Sequence, residues 1–246
     1  MNIRFEEACA AVTGQKLKRE SIGTYQEKSV HAALKLYFQP DSGFHEQKVS
    51  GYVADICFGD EIYEIQTKAF RYLRKKLDVF LQEYQVTVVY PISFTKWIYW
   101  IDPDTGEVAE RRKSPKKGRA QFIFPELYQL RTYLHHPSLR FCILLLEVEE
   151  YRLLDGYGTD RKKRSTRYDR VPVRLEQEIW LRQPSDYQKL LPAGLPESFT
   201  AKEFAKKAGI PVKTAQTGLQ LLTELSVVER IGKSGQAYVY HSLFSN

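Results

Sequence analysis

A glycine-aspartate pair, Gly59-Asp60, separates two runs of strand-forming residues, VSGYVADICF and EIYEIQT, and this arrangement constrains the fold more than any other feature. Glycine tolerates the positive φ that a two-residue hairpin loop requires, so we predict two paired antiparallel strands. Counting outward from the loop places Asp55 directly opposite Glu64. Opposed side chains have Cβ atoms roughly 5 Å apart, so the two carboxylates share one face and repel each other unless something compensates.

A divalent cation is the expected compensation for these two acids. Hard oxygen ligands suit Mg²⁺, with Mn²⁺ as a substitute, because Mg²⁺ prefers one or two carboxylates together with waters and substrate phosphate oxygens. Gln66 points from the same strand face as Glu64. Lys68 does so as well if the strand continues that far; if the strand ends at Thr67, Lys68 becomes a phosphate contact instead.

The elements around the hairpin predict the fold class. Apolar residues recur at helical spacing from Tyr25 to Phe38 and again from Lys68 to Glu83, and a buried strand follows at Val86–Ile92. The strand, helix and strand order makes that last crossover a βαβ unit with a parallel pair. Further strands are predicted in FTKWIYWID and RFCILLLEV, with a helix in PELYQLRTYL. We therefore predict an α/β fold with a mixed central sheet flanked by helices.

The C-terminal segment follows the run LPAGLP, which marks a linker. Thr200 and Glu203 form a capping box that opens one helix, and a second helix is predicted over Val212–Leu225. Two short strands around a Lys-Ser-Gly-Gln turn complete the pattern of a small winged helix-turn-helix domain. The expected domains are residues 1–190 for the α/β core and 196–246 for the winged helix.

The acids identify a family resemblance. Asp55 followed by Glu64-Ile65-Gln66 on a β-hairpin, after a helix bearing Glu27, resembles the PD-(D/E)XK, or restriction-endonuclease-like, nuclease superfamily. The resemblance covers Tyr25 to Ile92, and an extension to Val148 stays open. It implies that Asp55 and Glu64 hold the metal with help from the Ile65 backbone carbonyl, and that Glu27 matches the first-helix acid of resolvase-like members.

The same resemblance implies a hydrolytic mechanism, and the sequence departs from the family's motif at one position. The metal would polarise the scissile phosphate and lower the pKa of a bound water that attacks in line, with Glu27 completing the shell. The motif's usual lysine is replaced by Gln66, which can hydrogen-bond a water but supplies no charge. Lys68 is the candidate to replace that charge. A decayed, non-catalytic site therefore stays open as an alternative.

Basic segments indicate the partner. The formal net charge of +7 favours a polyanion, so DNA is expected and RNA stays open. Segments 111–119 and 160–170 are predicted to be exposed basic loops. Opposite its apolar face, the second helix is predicted to carry a basic stripe of Arg71, Arg74, Lys75 and Lys76. The predicted DNA contacts are Arg71, Arg74 and Lys75 in the second helix, Arg111, Arg112, Lys116, Lys117, Lys162, Lys163 and Arg164 in the two loops, and Lys213, Gln216 and Lys233 in the winged helix.

Three function classes follow from these observations. The first is a metal-dependent DNA endonuclease, for which a homodimer is expected if both strands of a duplex are cut. The second is a catalytically inactive, nuclease-like DNA-binding or regulatory protein, and the third is a protein-interaction adaptor. The three cysteines fit neither a disulfide framework nor a zinc site, so a cytoplasmic location is expected, and the apolar runs are too short for a membrane partner.

Overall fold

The computed structural model describes residues 3–18, 29–156 and 165–244. Among these residues the helices are α1 (Ile3–Lys18), α2 (Ser29–Phe38), α3 (Arg74–Phe80), α4 (Phe124–Gln129), α5 (Ala201–Ala208) and α6 (Val212–Glu224). The strands are β1 (His45–Val49), β2 (Tyr52–Phe58), β3 (Glu61–Ile65), β4 (Gln85–Ile101), β5 (Arg112–Lys113), β6 (Leu139–Leu153), β7 (Thr166–Leu181), β8 (Ser198–Thr200), β9 (Val228–Ser234) and β10 (Ala237–Ser242).

A mixed sheet is the main element of the fold. Within the described residues its seven strands follow the order β1-β2-β3-β4-β6-β7, and β5 pairs with β4. Strands β2 and β3 are antiparallel, whereas β3 and β4 are parallel, as the predicted βαβ crossover requires. The predicted α/β fold with a mixed sheet and flanking helices is confirmed. Its restriction-endonuclease-like class stays a prediction.

The β2–β3 hairpin has the register that a two-residue loop predicts. Phe58 pairs with Glu61 across the loop, and Gly59 has the positive φ of 57° that a side chain would disfavour. The pairing continues through Cys57 with Ile62 and ends at Ile56 with Tyr63. Asp55 and Glu64 come one step beyond the end of this ladder, where the Asp55 carboxylate accepts a hydrogen bond from the Ile65 N–H.

The chain forms two compact units. The first comprises Met1–His45, Ser93–Gly118 and Leu144–Gln177, and the second comprises Glu46–Ile92, Arg119–Ile143 and Glu178–Asn246. Strands β4, β6 and β7 contribute residues to both units. The whole C-terminal segment belongs to the second unit, and the predicted domains 1–190 and 196–246 stay a prediction.

Strand β4 corrects the sequence analysis, which predicted two separate strands at Val86–Ile92 and in FTKWIYWID. The structure has one strand of 17 residues. Pro91 does not interrupt it because the last pairing with β3 is Ile65 with Val89, followed by a bond from the Gln66 N–H to the Val89 carbonyl. The missing N–H of proline therefore falls beyond the β3 ladder.

The predicted exposed loop at residues 160–170 is also partly wrong. Residues 157–164 lie outside the described part of the chain, but β7 begins at Thr166. Asp169 is buried, and its carboxylate accepts hydrogen bonds from the Ser29 backbone N–H and hydroxyl. The run of charged residues suggested a solvated loop. The sequence alone does not show that Asp169 pairs with Ser29, which lies 140 positions away.

The predicted helices are shorter than their sequence patterns. The helix expected over Lys68–Glu83 is a 3₁₀ turn at Phe70–Leu73 followed by α3, and PELYQLRTYL forms α4 and a second 3₁₀ turn. The start of the helix expected from Tyr25 lies outside the described residues. Among the residues that are described, no helix has the length and apolar character needed to cross a bilayer.

The C-terminal segment contains the predicted helix, helix and hairpin. Thr200 and Glu203 form the expected capping box at the start of α5. Strands β8, β10 and β9 form a three-stranded sheet in that order. Helix α6 packs against α4 at Gly218, where a Cβ atom would lie 2.4 Å from a ring carbon of Phe124. The winged-helix assignment of these elements stays a prediction.

Candidate active site

Asp55 and Glu64 lie on neighbouring strands of the second unit. Asp55 is half-buried on β2, and its Oδ2 accepts a hydrogen bond of 2.7 Å from the backbone N–H of Ile65 on β3. Glu64 is almost fully buried, with 5% of its side chain exposed. The hairpin register and the Ile65 bond therefore fix both carboxylates at one place on the sheet.

Lys76 completes this arrangement from helix α3. Its ammonium donates to both carboxylate oxygens of Glu64, at 2.9 and 2.8 Å, and to the backbone carbonyl of Val53 at 2.7 Å. About 24% of the Lys76 side chain is exposed, so solvent reaches one side of the group. We call these residues the Asp55–Glu64–Lys76 cluster. It carries one net negative charge when both acids are ionised.

Lys76 is the functional candidate that the sequence analysis placed on a solvent-facing basic stripe. The structure corrects this placement, because its amine contacts Glu64 instead of solvent alone. A signal was available: Lys76 lies three residues after Leu73 and four before Phe80, both of which are buried. Residues three and four apart lie on the same helix face, so the spacing places Lys76 on the apolar side of α3.

Burial sets the proton affinity of the cluster. Removal from water and, second, the negative charge of Asp55 together raise the pKa of the Glu64 carboxyl from 4.5 to about 7. The Lys76 ammonium opposes both effects by favouring the ionised carboxylate. Glu64 therefore titrates close to neutral pH, in a range where a carboxyl can hold or release a proton.

This shift predicts that stability falls as the pH rises from 5 to 8. The unfolded chain releases the Glu64 proton near pH 4.5, whereas the folded chain holds it until about pH 7. Across that interval the unfolded state binds fewer protons, so raising the pH favours unfolding, by up to about 3 kcal/mol. Urea unfolding of the unaltered chain and of Glu64→Gln, in buffers with a metal chelator, measures the effect.

Glu64→Gln should reduce the difference in unfolding free energy between pH 5 and pH 8. Glu61→Gln is the matched control, because Glu61 lies on the same strand but is half-exposed and contacts Tyr63 and Arg140. An unchanged pH dependence in Glu64→Gln would contradict the prediction.

The other predicted site residues lie in different situations. Glu27 is outside the described residues. Ile65 uses its N–H for Asp55, and the metal-binding role of its carbonyl stays a prediction. Gln66 is half-buried immediately after β3, while Lys68 is exposed beyond the strand end. The alternation that would return Lys68 to the Glu64 face is therefore lost, which leaves the phosphate-contact role as its prediction.

Some of the predicted DNA contacts in the second unit are exposed to solvent, whereas others contact neighbouring residues of the protein. Lys75, Lys213 and Gln216 are exposed. Arg74 donates to the Gln129 carbonyl at the end of α4, at 2.8 Å from Nε, which gives it a structural role. The other two stack on aromatic rings: Arg71 on Tyr72, and Lys233 on Tyr238.

The first unit holds the remaining predicted contacts. Arg111 lies over the Trp97 ring at 4.5 Å and contacts Glu149 at 3.8 Å. Arg112 belongs to the two-residue strand β5, so segment 111–119 is not entirely a loop. The other residues of this group are the exposed Lys116 and Lys117, and Lys162, Lys163 and Arg164, which lie outside the described residues.

The carboxylate oxygens of the cluster are chemically suited to binding a hard divalent cation. Asp55 and Glu64 supply carboxylate oxygens, and Mg²⁺ is commonly held by one or two carboxylates while it keeps its waters. In the described part of the chain no group of three or more His, Cys, Asp or Glu residues could hold a metal ion. Lys76 already neutralises part of the negative charge of Asp55 and Glu64, which a bound cation was expected to neutralise. A cation would therefore compete with Lys76 for the Glu64 oxygens.

Comparison with known proteins places the chain in a family. The model of a domain of unknown function, DUF8091, matches residues 28–182, which include the Asp55–Glu64–Lys76 cluster. An uncharacterized protein of Treponema pallidum (strain Nichols) is 32% identical over 187 residues, covering 76% of this chain and 74% of that protein. No solved structure matches the chain. The family match spans more than half of the sequence, and the chain belongs to the DUF8091 family.

Proposed function

We propose that this protein is a metal-dependent endonuclease of the PD-(D/E)XK type that hydrolyses phosphodiester bonds in DNA. The observation that supports it is the Asp55–Glu64–Lys76 cluster, in which two acids from a hairpin and a lysine from the next helix meet at one half-buried place. Metal-dependent hydrolysis of a phosphodiester uses anionic ligands for the metal and a positive charge near the phosphate, and the cluster contains both.

Each residue of the cluster has a distinct role in this proposal. Asp55, fixed by the Ile65 N–H, and Glu64 would hold Mg²⁺ or Mn²⁺, which when bound polarises the scissile phosphate and acidifies a water. Lys76 supplies the fixed positive charge that Gln66 cannot supply, and its bond to Val53 holds its amine in place. Glu27, Gln66 and Lys68 remain additional candidates for the site.

The exposed basic residues would bind the DNA backbone. Lys75, on α3 beside Lys76, and Lys116 and Lys117, in segment 111–119, are exposed, so each can meet a phosphate at little desolvation cost. In the C-terminal segment, Lys213 and Gln216 lie on the exposed face of α6, as a winged helix that contacts a groove would require. We propose that this segment assists substrate binding.

One observation favours a second candidate function, that of a nuclease-like protein that binds DNA without cutting it. Both Glu64 oxygens are already occupied by Lys76, and position 66 carries glutamine. A site in which an internal ion pair takes the place of a metal would bind DNA through its basic residues and leave the phosphodiester intact.

Cleavage assays distinguish these functions. The unaltered chain should nick or cut at least one of plasmid, single-stranded and branched DNA with Mg²⁺ or Mn²⁺, and a chelator should stop the reaction. Lys76→Met should lower the cleavage rate about 100-fold, because it removes the fixed positive charge but keeps the length of the side chain. Gel assays of rate against metal and substrate measure both results.

Lys48→Met is the matched control, because it makes the same substitution at an exposed lysine on β1 that lies outside the cluster. Its cleavage rate should equal that of the unaltered chain. Equal rates for Lys76→Met and the unaltered chain would contradict the role of Lys76. Salt-sensitive DNA binding without cleavage under either metal would instead support the non-catalytic function.

A further inference from the structure

A buried carboxylate in the first unit is surrounded by cations. Glu150 on β6 is 1% exposed. Its Oε1 accepts from Arg152 at 2.9 Å and from Lys96 at 3.5 Å, and its Oε2 accepts from Arg170 at 2.8 Å. These contacts bring side chains from β4, β6 and β7 to one face of the sheet. One carboxylate therefore organises three basic groups.

A fourth cation, Arg167, lies near the same group of charges. Arg167 on β7 is exposed overall and, within the described residues, makes no hydrogen bond or ion pair. Partial burial and the like charges of Arg170 and Arg152 lower the pKa of Arg167, whereas the acids Glu150 and Asp169 act in the opposite direction. Asp169, the other acid near Arg167, already accepts two hydrogen bonds from Ser29. Four basic groups thus lie near two carboxylates, and three of the four contact Glu150 directly.

A ligand in solution can reach the three cations around Glu150. The side chains of Lys96, Arg152 and Arg170 are 22%, 25% and 26% exposed, whereas that of Glu150 is only 2% exposed. The acid therefore lies below a rim of cations that solvent can contact. Among the described residues Arg152 uses Nε and Nη1, for Glu150 and the Ser165 hydroxyl, and Arg170 uses Nε and Nη2 for Glu150, so each guanidinium keeps N–H donors that can point outward.

We propose that Lys96, Arg152, Arg167 and Arg170 form a binding site for a phosphate group. Guanidinium groups bind phosphate through paired hydrogen bonds, and a phosphate dianion would balance the excess of two positive charges. Glu150 acts as a positioning residue, because it holds three of the cations in fixed orientations. The inference does not depend on nuclease activity, since the site uses none of the residues of the Asp55–Glu64–Lys76 cluster.

The test measures thermal unfolding with and without inorganic phosphate, at ionic strength balanced with chloride. Phosphate should raise the Tm of the unaltered chain by a few degrees. Arg167→Ala should weaken the apparent affinity for phosphate at least about tenfold, because charge-assisted hydrogen bonds are lost. Without phosphate its Tm should be unchanged or higher, because a repelling charge is removed. A purely structural role for Arg167 would instead lower that Tm.

Arg174→Ala is the matched control on the same strand, because Arg174 already pairs with Glu147 and Glu176. It should keep the full response to phosphate. Equal responses of the unaltered chain and Arg167→Ala, or no response in the unaltered chain, would overturn the proposal. Competition by a short oligonucleotide with and without a 5′-phosphate then identifies the source: terminal phosphate, backbone phosphodiester or, if neither competes, a small phosphorylated molecule.

Discussion

Replacing Asp55 or Glu64 with alanine is expected to abolish DNA cleavage, with a fall in rate of at least about 1,000-fold under Mg²⁺ or Mn²⁺. Each change removes a carboxylate on which the proposed metal site depends, and no other acid joins the described cluster. Rates should be measured on the substrate that the unaltered chain cuts fastest, across a range of metal concentrations. Cleavage by either variant at the unaltered rate would refute the assignment.

The controls for these variants come from the same hairpin. Asp60→Ala changes an exposed acid of the loop, and Glu61→Ala changes an acid that contacts Tyr63. Both should cleave at the unaltered rate. Because Glu64→Ala leaves the Lys76 ammonium without its carboxylate, Glu64→Gln is the second variant, and circular dichroism should establish that it is folded before its rate is compared.

Gly218→Ala is expected to destabilise the second unit by about 1–3 kcal/mol. Alanine in a helix interior is normally favoured over glycine by about 1 kcal/mol, so the sign is opposite to the usual one. The reason is contact, since the new Cβ would lie 2.4 Å from a ring carbon of the fully buried Phe124. Urea denaturation of the full chain gives the change in unfolding free energy.

Two further variants locate the cause of that loss. Gln216→Ala, at an exposed position of the same helix, should change stability by no more than about 0.5 kcal/mol. Gly218→Ala combined with Phe124→Leu should be more stable than the sum of the two single changes predicts, because the smaller side chain relieves the overlap. A stabilising effect of Gly218→Ala alone would show that α4 and α6 are not packed in this way.

The hairpin could be predicted from sequence because its determinants are local. Gly59 and the alternating residues on either side fix the loop, and the loop fixes the register in which Phe58 pairs with Glu61 and Ile56 with Tyr63. The capping box at Thr200 was readable for the same reason. Both features depend on residues within a few positions of one another.

The missed features depend on partners that are distant in sequence. Lys76 was recognised as basic, but its pairing with Glu64 joins residues 12 positions apart and depends on how α3 packs on the sheet. Strand β7 was missed because its charged residues suggested a loop, whereas Arg170 is paired with Glu150, 20 positions away. Charge patterns in sequence do not show which side chains neutralise one another after folding.

The bond between Lys76 and Glu64 has a consequence for how the site would be regulated. Glu64 cannot serve a metal ion and Lys76 at full strength at the same time, so loading the site is an exchange of one positive group for another. An enzyme of this kind would stay at rest when free magnesium is scarce. On the proposed function, the ion would have to be abundant enough to displace the tethered amine, and this requirement would set a threshold against unwanted cutting.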